Sequence, residues 1–149
     1  MIALGADHGG FALKEEIKKG LQRLGSRCRD LGTFSTEPVD YPDLALAVAR
    51  AVRGGRAPLG ILVGRRRHRL RDGRQQGARR ARAALCVDVP AAKNAREHND
   101  ANVLTLGAKF VDARAPEEIV AAFPGLGLHG GAPRAARRQD HGHRGELRR

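Results

Sequence analysis

Aromatic residues are scarce in this chain of 149 residues, which has no tryptophan, one tyrosine and four phenylalanines. It has only two cysteines, Cys28 and Cys86, and their separation matches no metal-binding spacing. Two such distant cysteines are typical of reduced thiols in a reducing compartment. No apolar run reaches the roughly 18 residues that a membrane-spanning helix needs. The first residues also lack the pattern of a secretion signal, so we expect a soluble, cytoplasmic protein.

Positive charge dominates the chain, with a net charge of +12, but it is concentrated in two segments. Residues 64–82 carry +8 and residues 124–149 carry +4, while the remainder is balanced. Both segments contain arginine and no lysine. A basic surface for DNA or RNA would explain them. Because the arginine run has no interleaved aromatic residues to stack on bases, nucleic-acid binding stays an alternative and not the leading interpretation.

Short apolar runs alternate with amphipathic stretches along the chain. The runs predicted to be strands are the opening residues and residues 26–31, 58–63, 83–87 and 102–108. Helical spacing predicts helices over residues 13–24, 42–53, 90–98 and 115–123, the first ending at Gly25 and the second at Gly54. This alternation favours the α/β class: a doubly wound, Rossmann-like parallel sheet of about five strands with helices on both faces.

One domain is predicted, because the chain is long enough for a single core and too short for two. Residues 1–123 form this α/β domain, within which residues 64–81 are aberrant. Residues 124–149 contain few apolar side chains and are expected to be a disordered basic tail.

Asp7 and His8 stand where the first apolar run enters a glycine-flanked turn before a helix. In an open parallel sheet, ligands bind at the carboxyl ends of the strands, where helix N-termini offer unpaired N–H groups to anions. Asp7 and His8 are therefore the first candidates for ligand contact. Asp7 is also suited to cap the helix, and the two roles are compatible.

Three motifs lie in the balanced part of the chain: GADHGGFALK at residues 5–14, DYPD at residues 40–43 and AREHNDANVL at residues 95–104. Together they closely resemble the ribose-5-phosphate isomerase B family, which includes the galactose-6-phosphate isomerase subunits. The resemblance covers residues 1–63 and 83–123. It implies a homodimer, or a dimer of dimers, that interconverts ribose 5-phosphate and ribulose 5-phosphate through an enediolate, without a metal or organic cofactor. Another pentose- or hexose-phosphate isomerase, such as the galactose-6-phosphate type, remains an alternative.

The resemblance assigns roles to individual residues. His98 would open the sugar ring by donating and accepting protons, for which imidazole has a suitable pKa. Asp7, His8, Asn99 and Lys109 would contact the substrate, Asn99 in the pocket that stabilises the enediolate. Without the motif, His98 would be a polar residue at a helix end, Asn99 a turn former and Lys109 a solvated loop residue. We expect Asp7 and His98 to meet in one small cavity.

The family's loop after the third predicted strand is missing from this chain. Members of the family have a cysteine base there, heading a glycine-rich loop whose N–H groups stabilise the oxyanion. This chain has Gly64 followed by arginines, so the base is unknown and expected near Gly64 and Arg65. Cys86 is rejected as a replacement, because it lies in mid-strand, where burial raises the pKa of a thiol. The two phosphate-binding arginines near the family's C-terminus are also absent. Tyr41 is expected to pack in its loop rather than to take part in chemistry, with a place in the lining of the pocket as the alternative.

Residues 64–81 and 124–149 have the character of out-of-frame translations of a GC-rich gene. Reading one base forward, a consistent choice of third codon bases turns residues 65–80 into the family's glycine-rich loop and helix. The same shift after Pro124 gives a family-like tail with arginines at the positions of Ala132 and Ala136. Neither shift places a cysteine at position 64. We therefore predict that the chain as it stands is inactive or severely impaired.

Overall fold

The computed structural model describes residues 1–65, 80–111 and 116–123. The predictions for the tail and for most of residues 64–81 lie outside these described residues. Within them, no helix is long and apolar enough to cross a membrane.

Five strands, four α-helices and one short 3-10 helix make up the described part of the chain. The strands are β1 (Ile2–Ala6), β2 (Cys28–Asp30), β3 (Leu59–Gly64), β4 (Ala83–Leu85) and β5 (Val103–Gly107). The helices are α1 (Phe11–Arg23), α2 (Tyr41–Arg53), α3 (Val89–Asn99) and α4 (Pro116–Ala122), and the 3-10 helix His8–Gly10 precedes α1. All strand pairs are parallel, in the order β2-β1-β3-β5-β4. The predicted α/β class and five-stranded parallel sheet are confirmed.

The core divides into two clusters because successive residues of a strand point to opposite faces of the sheet. One cluster joins the strands to α1, α3 and α4 through residues such as Ile17, Ala92 and Ile119. The other joins them to α2, the helix on the second face in the described part of the chain. α2 packs closely there because Gly60 has no side chain: a Cβ on Gly60 would lie 2.6 Å from Cγ1 of Val48.

The predicted boundaries agree best with the structure where a glycine ends a helix. α1 is followed by Gly25 with φ +67°, and α2 by Gly54 and by Gly55 with φ +70°, a conformation that glycine adopts without strain. β2 and β4 are shorter than predicted. Both are edge strands that pair on one side only, so fewer hydrogen bonds extend them.

Candidate active site

The polar turn after β1 lies at the carboxyl edge of the sheet, beside the end of β3. The strand order runs outwards in opposite directions from β1 and β3. In parallel α/β sheets such a switch point forms the crevice in which ligands bind. Asp7 follows β1 directly, and its N–H donates to the carbonyl oxygen of Val63 in β3 over 3.0 Å. Asp7 therefore occupies the switch point, as the sequence predicted for a residue at the end of the first strand.

The Asp7 carboxylate is buried, with 5% of the residue exposed, and is held by backbone N–H groups. The Gly10 N–H donates to Oδ1 over 2.8 Å, so Asp7 caps the 3-10 helix that leads into α1. The Arg65 N–H lies 3.1 Å from both carboxylate oxygens. The carboxylate thus joins the turn after β1 to the first residue after β3.

Tyr41 and His8 lie close to Asp7 at this edge of the sheet. Burial and, secondarily, the charge of Asp7 raise the pKa of the Tyr41 phenol from 10.0 to about 12. His8 accepts a hydrogen bond at Nδ1 from the Val39 N–H over 3.5 Å. The sequence left open whether Tyr41 lines the pocket, and its place in the second motif was the signal for this position.

The Tyr41 phenol is expected to titrate near pH 12. Tyr41 is the only tyrosine and the chain has no tryptophan, so ultraviolet absorbance after a rapid pH jump reports on it alone. Asp7→Asn should lower the Tyr41 pKa, because it removes a nearby negative charge while keeping a capping side chain. Asp43→Asn is the control, since Asp43 is an exposed residue in the first turn of the same helix. A Tyr41 pKa that is unchanged in Asp7→Asn would contradict this geometry.

Lys109 lies at the same edge of the sheet as Asp7. It is exposed in the turn that follows β5, and β5 pairs with β3. The neighbouring Ala108 N–H donates to the carbonyl oxygen of Gly64 over 2.8 Å, which fixes this turn beside the end of β3. Asp7, His8, Tyr41 and Lys109 therefore share the carboxyl edge.

His98 and Asn99 lie at the opposite edge. They are exposed residues in the last turn of α3, which ends where β5 begins. Asn102, just before β5, accepts a hydrogen bond from the Gly60 N–H at the start of β3. At about 3.3 Å per residue, the strands separate the two edges by roughly 15 Å, more than the length of a pentose phosphate. The expectation that Asp7 and His98 of one chain meet in one cavity is wrong. The sequence carried a signal for this, because a helix that follows a parallel strand runs back to the amino edge.

Three further polar residues of the third motif, Arg96, Asp100 and Asn102, hold the end of α3 in place. Asp100 has φ +47° and ends the helix, and its carboxylate accepts hydrogen bonds from Arg82 over 2.7 Å and from Arg96 over 3.2 Å. Asn102 binds main-chain atoms on either side of residue 81: its Oδ1 accepts from the Arg82 N–H and its Nδ2 donates to the Arg80 carbonyl oxygen. These contacts attach the last turn of α3 to the start of β4.

The positions expected to carry the base hold no suitable group. Gly64 ends β3, and the Arg65 side chain covers Gly9, where an added Cβ would lie 2.4 Å from Cβ of Arg65. A guanidinium does not lose its proton in proteins, so Arg65 cannot abstract one. The prediction that Cys86 lies in mid-strand is wrong, because β4 ends at Leu85 and Cys86 follows it. Cys86 is buried nonetheless, and burial followed by the charge of Asp88 raises its pKa to about 11, which supports its rejection. Within the described ranges, no group of three or more His, Cys, Asp or Glu residues could hold a metal ion.

Replacing Gly10 by alanine is expected to destabilise the protein by about 1–3 kcal/mol. The new Cβ would lie 2.6 Å from the carbonyl oxygen of Val63, a main-chain atom of β3 that cannot move freely. Gly20→Ala is the matched control, because the three atoms nearest its Cβ all belong to the half-exposed side chain of Glu117, which can move aside. Alanine also favours a helix over glycine by about 1 kcal/mol. Urea unfolding tests both variants, and equal midpoints would contradict the close approach at Gly10.

Comparisons of sequence and of fold relate this chain to known proteins. Residues 2–141 match the family model described as Ribose/Galactose Isomerase. A putative sugar phosphate isomerase of Rickettsia bellii is 40% identical over 133 residues, covering 87% of this chain and 90% of the relative. Ribose-5-phosphate isomerase B of Escherichia coli is 39% identical over 137 residues and 87% of each chain. The structure of Clostridium thermocellum ribose-5-phosphate isomerase B superposes with a TM-score of 0.75 at 37% identity, covering 87% of each chain.

Proposed function

This chain belongs to the ribose/galactose isomerase family, and we propose that it interconverts ribose 5-phosphate and ribulose 5-phosphate. The observation that carries the proposal is the buried Asp7 carboxylate at the β1/β3 switch point, in a chain whose sequence and fold match ribose-5-phosphate isomerase B proteins. A carboxylate held by backbone N–H groups in a crevice is suited to accept hydrogen bonds from sugar hydroxyls.

The proposed site combines two copies of the chain. Asp7 and His8 contact the sugar phosphate at the carboxyl edge of one copy, and Lys109 lies at that edge too. His98 and Asn99 reach the same substrate from a second copy, because one chain holds them at the opposite edge. Their exposure at the end of α3 leaves them available to a neighbouring molecule. The function therefore requires a homodimer, which could pair further.

Each proposed step is a proton transfer. To open the ring, His98 donates a proton to the ring oxygen while a water molecule accepts the proton of the anomeric hydroxyl, and the bond between C1 and the ring oxygen breaks to free the aldehyde. A base then removes the proton from C2, giving an enediolate with its negative charge on O1. The proton of the C2 hydroxyl passes to O1, and the base returns its proton to C1, which leaves the C2 carbonyl of the ketose. Asn99 stabilises the negative oxygen of the enediolate through its side-chain N–H groups. We assign none of the described residues as the base for C2.

We also propose that residues 64–81 and 124–149 are out-of-frame translations, which leaves the chain without its oxyanion loop and phosphate-binding arginines. The coding DNA across codons 60–85 and 120–149 tests this directly. A verified gene that encodes the residues as they stand would end the proposal. The unpaired thiols Cys28 and Cys86 support a reducing compartment, and we expect the protein to act in the cytoplasm.

The function is tested by assaying two forms of the protein with ribose 5-phosphate. One is the chain as it stands, expected to show little or no turnover. The other, termed the restored chain, carries the shifted translation at residues 64–81 and 124–149. The restored chain should form ribulose 5-phosphate, and Asp7→Asn or His98→Gln should remove most of that activity. A folded, dimeric restored chain that prefers galactose 6-phosphate, or that turns over neither sugar, would overturn the proposal. Salt-sensitive binding to nonspecific DNA without turnover would favour nucleic-acid binding instead.

A further inference from the structure

Lys14 belongs to the first motif, yet the site described above gives it no role. Its side chain is 0% exposed, which is rare for lysine. The ammonium nitrogen lies 2.5 Å from Oδ2 of Asp30 and 3.2 Å from Oε1 of Glu15. It also lies over two rings, 5.5 Å from the centroid of Phe11 and 5.1 Å from that of Phe34. The first turn of α1 therefore places a buried positive charge against the end of β2.

Asp30 also binds the backbone of the loop that follows β2. Its Oδ1 accepts a hydrogen bond from the Gly32 N–H over 3.0 Å. The Gly32 carbonyl oxygen in turn accepts from the Ala6 N–H over 2.8 Å, and the Thr33 N–H donates to the Ala6 carbonyl oxygen over 2.8 Å. Ala6 immediately precedes Asp7. One carboxylate thus joins Lys14 to the backbone at the end of β1.

The end of this loop contacts His8, one of the proposed substrate-contact residues. Residues 31–40 run from the end of β2 to the start of α2, and Val39 near their end donates its N–H to Nδ1 of His8. A neutral imidazole that accepts this hydrogen bond at Nδ1 must carry its proton on Nε2. The position of the loop therefore decides which ring nitrogen of His8 can donate to a substrate.

We propose that Lys14 is a positioning residue for the isomerisation: through Asp30 it fixes the loop of residues 31–40, and with it the ring orientation and tautomer of His8. This inference rests on the proposed role of His8 in binding the sugar phosphate. A buried ion pair adds little net stability compared with apolar residues of the same shape. The Lys14–Asp30 pair acts here on geometry. A buried ammonium must keep its carboxylate partner, and so Lys14 holds Asp30 at one position.

Lys18 provides a matched control. Its ammonium lies 3.0 Å from the same Asp30 oxygen, but the side chain is 30% exposed and also binds Glu15. Water can replace Lys18 at Asp30, whereas no water reaches the buried Lys14. The two lysines thus share a chemical partner and differ in burial.

The experiment uses the chain as it stands, labelled with ¹⁵N in histidine, at an alkaline pH where imidazole is neutral. The His8 signals are assigned with His8→Gln and compared in the parent chain, Lys14→Met and Lys18→Met. We expect His8 to be protonated on Nε2 in the parent and in Lys18→Met. In Lys14→Met the two tautomers should become comparably populated, which moves the Nδ1 and Nε2 shifts towards each other.

Two results would overturn the inference: a folded Lys14→Met chain whose His8 shifts match the parent, or a Lys18→Met chain that changes as much as Lys14→Met. If Lys14→Met does not fold, the measurement is repeated on the double variant Lys14→Met/Asp30→Asn, in which neither member of the pair is charged. The same criteria apply. No substrate is needed. A failed isomerase assay would therefore count against the proposed function and leave the tautomer result standing.

Discussion

Removing the Asp30 carboxylate by Asp30→Ala is expected to destabilise the protein by about 3–5 kcal/mol, whereas replacing its partner through Lys14→Met should cost about 1 kcal/mol or less. The difference arises from what each change leaves behind. Asp30→Ala leaves the Lys14 ammonium fully buried. Among the described residues, its remaining ion-pair partner is the partly exposed Glu15. Lys14→Met leaves a carboxylate that is 14% exposed, so Lys18 and water can satisfy it, while the methionine fills the space beside the two phenyl rings.

Urea unfolding of the two single variants and of the double variant Lys14→Met/Asp30→Ala measures this asymmetry. The double variant should be more stable than Asp30→Ala alone, because it no longer buries an unpaired charge. Asp43→Ala, which removes an exposed carboxylate from α2, is the control and should change the free energy of unfolding by less than about 0.5 kcal/mol. Equal losses from Asp30→Ala and Lys14→Met would show that the pair is not buried as described.

The Lys14–Asp30 pair makes the free energy of unfolding depend on pH. Burial raises the pKa of the Asp30 carboxyl, but hydrogen bonds from Lys14, the Gly32 N–H and Lys18 outweigh burial, and the net pKa lies below its ordinary 3.8. A group whose folded pKa is lowered contributes stability above its unfolded pKa and loses it as the pH falls through the folded pKa. We therefore expect the contribution of Asp30 to be present above about pH 4 and to be lost below it.

Mixing two inactive variants is expected to restore isomerase activity in the restored chain. Asp7→Asn and His98→Gln should each lower turnover by about 10²–10⁴-fold, the usual effect of losing a group that contacts reacting atoms. In a mixed dimer, one site combines the intact Asp7 of one copy with the intact His98 of the other. After subunit exchange at equal amounts, about a quarter of all sites should be intact.

A second mixture serves as the control for this result. Asp7 and His8 lie at the same edge of the same chain, so no mixed dimer of Asp7→Asn with His8→Gln contains an intact pair. That mixture should remain inactive. Recovery in the control, or its absence in the first mixture despite proven subunit exchange, would show that the site is not shared between two copies.

The sequence by itself determined the order and type of the secondary-structure elements. Apolar spacing placed Ile17 and Leu21 on the buried face of α1, and Gly25 and Gly54 marked the ends of α1 and α2. These signals are local, because a helix or strand is encoded by a few neighbouring residues and by the glycine that ends it. The turn at Asp7 was equally local, since a strand end followed by a helix start defines the carboxyl edge.

Only the tertiary structure decided which of these residues meet. His98 lies in a recognisable motif, yet the direction of α3 carries it to the edge opposite Asp7. In the sequence, Lys14 resembles any other charged residue of an amphipathic helix. Only the packing of α1 against β2 buries it beside Asp30. Tyr41 nears Asp7 because α2 begins at the carboxyl edge of the sheet, where β1 ends. The physical reason is common to all three: contacts between residues far apart in the chain depend on strand order and helix direction, which no short stretch of sequence encodes.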